Sequence, residues 1–313
     1  MRQYRLFKTI VALICVVPLL SSCGGEDNSE SKVIASEVED VTSCSPVPTP
    51  TIGEVDNMDL TNKPSIQTPE EPPPDLEIED IVEGTGARAG SGDFLVMQYV
   101  GVSCSTGLQF DASWDRGQPF SFELGSGKVI SGWDEGIVGM TVGGRRLLTI
   151  PPEKAYGRNG SGSGSIGPNE TLLFIVDLLV LVPTNLEKPP VSVPDEAASE
   201  LLIRDITEGE GHEVESGDIV YVHYVGHSQS TNTQFDASWD RGREQFIAFP
   251  IGQGDVIDGW DEGLLGMKVG GRRELVIPPS LAYGEDGAGG GLIAPNETLV
   301  FVVDLLGASP FLN

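Results

Sequence analysis

The chain has little positive charge and almost no histidine. Its 313 residues carry 19 Lys and Arg against 47 Asp and Glu, a formal net charge of −28. No basic stripe follows the extreme N-terminus, which argues against a nucleic-acid groove and against direct binding to anionic lipid. The three histidines, His212, His223 and His227, all fall beyond residue 211. A His-based acid–base or metal site is therefore confined to that part of the chain. No GxSxG, HExxH or phosphate-loop signature is present. The N-terminal apolar run, Thr9 to Leu20, is too short for a stable membrane span.

What is present comes twice. QFDASWDRG at 109–117 returns at 234–242, GWDEG at 132–136 at 259–263, VGGRR at 142–146 at 269–273, and PNETL at 168–172 at 295–299. The offset is 125 residues as far as Arg116/Arg241 and 127 from Trp133/Trp260 onward, so the second copy holds two extra residues within RGREQFIAF. A period of this length is a duplicated domain, since solenoid units run to about 20–50 residues. All three histidines lie in the second copy, so no His-based site is shared by both.

Arg2, Arg5 and Lys8, the apolar run and Ser21-Ser22-Cys23 read as a secretory signal over 1–22. Leu20-Ser21-Ser22-Cys23 also resembles a bacterial lipoprotein box. That resemblance implies acylation of Cys23 and a lipid-anchored protein of the cell envelope. Gly24, where an Asp would signal retention in the inner membrane, points to the outer membrane facing the periplasm. Cys15 would leave with the signal, and Cys44 and Cys104 then either pair or stay as free thiols. Gln229 takes the place of Cys104 in the second copy.

Residues 23–75 carry a net charge of −10 and are rich in Pro, Ser and Thr, with no hydrophobic period. They read as a disordered acidic tether. The first domain is expected over 76–183, a linker with Pro189, Pro190 and Pro194 over 184–195, and the second domain over 196–310. The domains differ in charge, −6 over 76–183 and −14 over 196–308.

Strands are expected at 93–100 and 218–225, and helices are expected to be capped by Ser131 and Asp258. Trp133, Ile137 and Met140 fall at helical spacing, as do Trp260, Leu264 and Met267. RRLLTIPP and RRELVIPP read as strands stopped by double proline, and TLLFIVDLLVLV and TLVFVVDLL as buried strands. The fold class is α+β, each copy a curved antiparallel sheet of four or five strands wrapped around one short helix.

The repeated chemistry is aromatic. Tyr99, Phe110, Trp133, Tyr156 and Phe174 are matched by Tyr224, Phe235, Trp260, Tyr283 and Phe301, with Asp111 and Arg116 matched by Asp236 and Arg241. Such a set suits a small apolar ligand or a side-chain-sized piece of peptide. Asp111 with Arg116 is either a salt bridge across a loop or a direct ligand contact.

In order, YVG, FDAS, DRG, VI, GWDEG, GG-RR, IPP, AYG, PNETL and the closing strand resemble the FKBP-type peptidyl-prolyl cis-trans isomerases, over nearly all of both domains. The resemblance implies site residues Tyr99, Phe110, Asp111, Phe120, Val129, Ile130, Trp133, Tyr156, Ile166 and Phe174. The matching set is Tyr224, Phe235, Asp236, Val256, Ile257, Trp260, Tyr283, Ile293 and Phe301, and the counterpart of Phe120 is either Phe246 or Ile247. It also implies Trp133 and Trp260 as pocket floors, and the Tyr156 and Tyr283 hydroxyls and the Ile130 and Ile257 amides as donors to substrate carbonyls. Gln98 stands where the second copy keeps His223.

Expected partners are proline-containing unfolded or extended polypeptides and the macrolide inhibitors of the family. No cofactor, metal or nucleic acid is expected, membrane contact is through lipid alone, and the chain is expected to be monomeric. A non-catalytic peptide-binding or holdase module is the competing reading. The loops at 157–167 and 284–294 hold no inserted chaperone domain, which favours the isomerase.

Overall fold

The computed structural model describes Cys44 and residues 57–309. The signal-like segment, Cys23 and most of the tether lie outside the described residues.

Each copy forms a six-stranded antiparallel sheet with one short helix. In the first, the strands are β1 (Glu77–Val82), β2 (Phe94–Ser103), β3 (Gln109–Ala112), β4 (Phe120–Glu123), β5 (Arg145–Ile150) and β6 (Leu172–Val182), with helix α1 at Ser131–Gly136. The order is β1-β5-β6-β2-β3, and β4 also pairs with β2. In the second, β7 (Leu202–Thr207), β8 (Ile219–Ser228), β9 (Thr233–Ala237), β10 (Ile247–Pro250), α2 (Asp258–Gly263), β11 (Arg272–Ile277) and β12 (Leu299–Ser309) repeat the same order of elements.

The long apolar runs take the central places, β6 between β5 and β2 and β12 between β11 and β8. There both faces are covered, and every residue of β2 is buried. One acid interrupts each run. Asp177 pairs in register with Arg145, the carboxylate accepting from the guanidinium Nε at 2.5 Å, and Asp304 pairs with Arg272 in the same way. The buried charges are thus matched and hydrogen-bonded. Burial raises the pKa of both carboxyls, with the paired arginine opposing the rise.

The edge strands β1 and β7 were not legible in the sequence. Most of their side chains are exposed, so they show no hydrophobic period, and backbone pairing with β5 and β11 holds them.

Residues 57–75, expected to belong to a free tether, lie on the first domain. Arg145 donates to the carbonyls of Asn57, Asp59 and Asn62, Lys63 pairs with Asp115, and Pro64 and Ile66 are buried. Cys44 and Cys104 are joined by a disulfide, with their Cα atoms 4.6 Å apart.

The contact recurs in the segment expected to be a linker. Lys188 pairs with Asp240 at 2.5 Å, Pro189 is buried, and Arg272 donates to the Glu187 carbonyl. Lys63-Pro64 and Lys188-Pro189 are themselves 125 residues apart. The duplicated unit therefore begins before residue 76. Where the first copy has its disulfide, the Gln229 side chain donates to the carbonyls of Pro194 and Asp195.

The two domains share a hydrophobic cluster. Phe94, Val96, Val180 and Val182 meet Tyr221 and Leu306, with Phe246 packed against them. Gly307 comes so close that an added Cβ would lie 2.3 Å from the Leu179 carbonyl oxygen.

Candidate active site

In the first domain β2 supplies Tyr99, β3 Phe110 and Asp111, β4 Phe120, α1 Trp133 and β6 Phe174, while Val129 and Ile130 precede α1 and Tyr156 follows β5. Together with Lys128 they line a cavity of about 190 Å³. Trp133, only 4 % exposed, forms the floor. Tyr99 and Phe174 stand edge-on to it at 5.3 and 5.2 Å between ring centres, and Phe110 meets Phe174 at 5.5 Å and 87°. Edge-to-face packing sets the electropositive ring edge on the π face and fixes each wall in one orientation. Gly101 makes this possible, because a Cβ there would come within 2.7 Å of both Phe110 and Phe174.

The polar groups lie along one side. Asp111 accepts from the Tyr99 hydroxyl through one carboxylate oxygen and from Arg116 through the other. Arg116 also donates to the Tyr99 oxygen at 2.8 Å, and its guanidinium sits 5.5 Å from that ring. Of the two roles left open for Asp111 and Arg116, the ion pair is present. Burial first, then Asp111, pushes the Tyr99 hydroxyl up to about 12, against the opposing effect of Arg116. It therefore stays protonated at any physiological pH. Among the described residues, the Tyr156 hydroxyl and the Ile130 amide donate to no protein group. Both are available to a ligand, and the Tyr156 side chain is 44 % exposed.

The helix that carries the floor is held from three directions. Gly132 and Gly136 face Ile150 and Leu148 of β5 closely enough to exclude a Cβ. Arg146 pairs with Asp80 of β1 and donates to the carbonyls of Gly136 and Val138 at the C-terminal end of α1. A cation at that end also complements the helix dipole. Asp134 accepts from the amides of Gly125 and Gly127, at 2.7 and 3.0 Å, and so fixes the loop that leads into Val129 and Ile130. The caps differ from expectation. Ile130 and Ile257 occupy the N-cap positions with no side-chain cap, and Ser131 and Asp258 are the first helical residues. The acids Asp134 and Asp261 serve the preceding loop instead.

The second domain repeats the arrangement with one wall changed. Tyr224 and Phe301 stand edge-on to Trp260 at 5.3 and 5.2 Å, and Phe235 meets Phe301 at 5.5 Å. Arg241 donates to Asp236 at 2.7 Å and to the Tyr224 oxygen at 3.1 Å. The Tyr224 hydroxyl is pushed upward, again by burial first and Asp236 second. Burial and the Asp236 charge raise Tyr283 as well.

Register decides the open wall. Phe120 pairs with Met97, and Ile247 pairs with Val222, the counterpart of Met97. Ile247 therefore takes the place of Phe120. Phe246 turns to the domain junction, 6.4 Å from Phe94 and 6.1 Å from Tyr221. The ring contacts that Phe120 makes with Tyr99 and Trp133 have no counterpart in the second site.

The expected residues thus converge on two cradles, with one exception in the first. Ile166 is buried in the core beside the aromatics and does not line the cavity, and Ile293 is buried alike. Lys128 lines the cavity and was missed, because a lone exposed lysine in a Gly-rich turn carries no sequence signal. Val256 and Ile257 are half-buried against the second core, as Val129 and Ile130 are against the first. His223 lies behind Tyr224, hydrogen-bonded through Nδ1 to Ser238 and through Nε2 to the Arg243 carbonyl, both at 2.8 Å. Among the described residues no group of three or more His, Cys, Asp or Glu is arranged to hold a metal ion.

Comparison with known proteins places both halves in one group. The family model described as FKBP-type peptidyl-prolyl cis-trans isomerase matches residues 86–179 and again 210–306. A protein named FK506-binding protein, from Streptomyces anulatus, is 56 % identical over 120 residues, which is 38 % of this chain and 97 % of that protein. A probable FK506-binding protein of Corynebacterium glutamicum is 54 % identical over 118 residues, 37 % of this chain and 97 % of that protein. The human peptidyl-prolyl cis-trans isomerase FKBP10 is 37 % identical over 233 residues, covering 74 % of this chain, which spans 37 % of FKBP10's length.

Proposed function

Because the chain belongs, in both its domains, to the FKBP-type peptidyl-prolyl cis-trans isomerases, we propose that each cradle takes up an X-Pro segment and accelerates its rotation. The single observation that carries this is the aromatic cup over a buried tryptophan with two donors, Tyr156 and Ile130, left without protein partners among the described residues. An X-Pro bond resists rotation by about 18–20 kcal/mol through amide resonance and relaxes in roughly 10–100 s unaided. No nucleophile or proton transfer is required. Apolar walls disfavour the charge-separated planar amide, and donors to the flanking carbonyls favour the twisted state. Removing about 5 kcal/mol from the barrier gives close to four powers of ten in rate.

Tyr99, Asp111 and Arg116 keep the polar side of the cup in one geometry, so little reorganisation is needed as the bond turns. A prolyl-isomerisation assay on the whole chain tests the reading. Acceleration should disappear in the double variant Trp133→Ala, Trp260→Ala, while far-UV dichroism reports whether the sheets persist. A folded wild-type chain without acceleration would refute it.

The work is done, in our reading, on exported polypeptides outside the cytoplasm. The basic, apolar and Ser21-Ser22-Cys23 succession supports a lipid anchor at Cys23, and the Cys44–Cys104 disulfide suits an oxidising compartment. Cys23→Ser should release the protein from the membrane fraction. The relatives' names also support binding of FK506-type macrolides in the first cradle, which a fluorescence titration of the whole chain measures.

A further inference from the structure

The two cradles share their floors and most of their walls, and differ at the mouth in charge. Lys128 lines the first cavity, and Asp255 occupies its place. Arg158 lies two residues after Tyr156, where Glu285 and then Asp286 follow Tyr283. Ser131, the first residue of α1, is matched by Asp258 of α2. Lys154 pairs with Glu135 at 2.5 Å, whereas Leu281 stands in the lysine's place and leaves Glu262 with no ion pair among the described residues.

In the turn before α1, in α1 and beside Tyr156, and leaving aside Asp134 and Asp261, which both copies share, Lys128, Lys154 and Arg158 stand against Glu135 and Glu153, a net +1. In the matching segments of the second domain, Asp255, Asp258, Glu262, Glu285 and Asp286 give −5. This accounts for most of the difference between the domains' charges of −6 and −14, and it is concentrated in the segments that adjoin the cavity-lining residues and their counterparts. Lys128, Arg158, Asp255, Glu285 and Asp286 are all exposed. Among the described residues none of them is committed to an ion pair, so each is free to pair with a ligand.

We propose that the two sites divide their substrates by charge, the first favouring an acidic residue beside the proline and the second a basic one. The inference rests on the isomerase reading above. Several unit charges acting across solvent at a few ångströms are worth about tenfold in dissociation constant at low salt, and less as salt screens them.

The test uses the whole chain with ¹⁵N-labelled tryptophan, following the indole signals of Trp133 and Trp260, one at each floor. Three Ala-Xaa-Pro-Phe peptides are titrated, with Xaa Leu, Glu or Lys. The Glu peptide should bind about tenfold tighter than the Lys peptide at Trp133, with the reverse order at Trp260. Both preferences should shrink towards parity in 0.5 M salt, which is about 4 Å of screening length. Lys128→Asp should weaken the preference at the first site alone, and Asp255→Lys at the second alone. These are exposed surface changes that leave the core untouched.

If the Leu peptide binds at both sites and the Glu-to-Lys ratio is the same at each, the division by charge is wrong and the isomerase reading stands. If neither indole responds to the Leu peptide, the isomerase reading fails and this inference falls with it.

Discussion

Replacing Phe120 by isoleucine gives the first cradle the wall of the second, and Ile247→Phe does the converse. Phe120 is 36 % exposed. On a side chain of roughly 200 Å² this leaves about 70 Å² open to the cavity. A peptide that covers about half of it gains ~0.9 kcal/mol at about 25 cal/mol per Å². Isoleucine keeps part of that surface, so Phe120→Ile should weaken peptide binding at the first site by about threefold, short of the roughly fivefold that losing all of it would give. Ile247→Phe should strengthen the second site by a similar factor. The assay is titration of the whole chain with a neutral Leu-Pro peptide, read separately from the Trp133 and Trp260 indole signals. The loss of edge contacts to Tyr99 and Trp133, at 6.1 and 6.0 Å, should also lower stability. That loss is about 1 kcal/mol and shows in urea unfolding. If both exchanges leave both dissociation constants within twofold of wild type, the wall contributes no binding surface and the reasoning is refuted.

Three further outcomes are expected. Breaking the Cys44–Cys104 link, which spans a sequence separation of 60, with Cys104→Ser should destabilise the first domain by about 4 kcal/mol through the freed unfolded chain. Urea unfolding of the variant and the wild type under oxidising conditions measures it. Gly101→Ala should cost about 1–3 kcal/mol by overpacking against Phe110 and Phe174, and should abolish peptide-induced shifts at Trp133 while leaving Trp260 responsive. The third concerns His223, whose pKa is lowered from 6.5, by burial first and by the Arg241 charge, against the Arg243 carbonyl. The unfolded chain takes up this proton below 6.5 and the folded domain resists it, so the stability contribution is present above 6.5 and is lost as pH falls from there towards the lower folded value. His223→Gln, which installs the first domain's Gln98, should flatten the pH 7-to-5 decline in urea unfolding relative to wild type.

The sheets, the helices and most of both cradles were readable because their residues alternate, repeat or carry rings that have few other uses. The parts that were not readable share a physical cause. Strand β1 and residues 57–66 bind largely through backbone groups, to β5 and to Arg145, and backbone partners leave no trace in composition. The helix caps were misassigned because Ser131 and Asp258 have the right chemistry for an N-cap, one residue too late for the role. Choosing between Phe246 and Ile247 required strand register, since two inserted residues leave the alignment ambiguous by one position and one position reverses the face. Lys128 gained its significance only from the shape of the cavity mouth.

The domain junction has a consequence for how a long client is handled. Phe94 with Phe246, Arg243 with the Gly92 carbonyl and Gly307 against Leu179 tie the two domains together, so they are not beads swinging on a string. A polypeptide held at one cradle meets the other at a local concentration set by fixed geometry rather than by linker entropy.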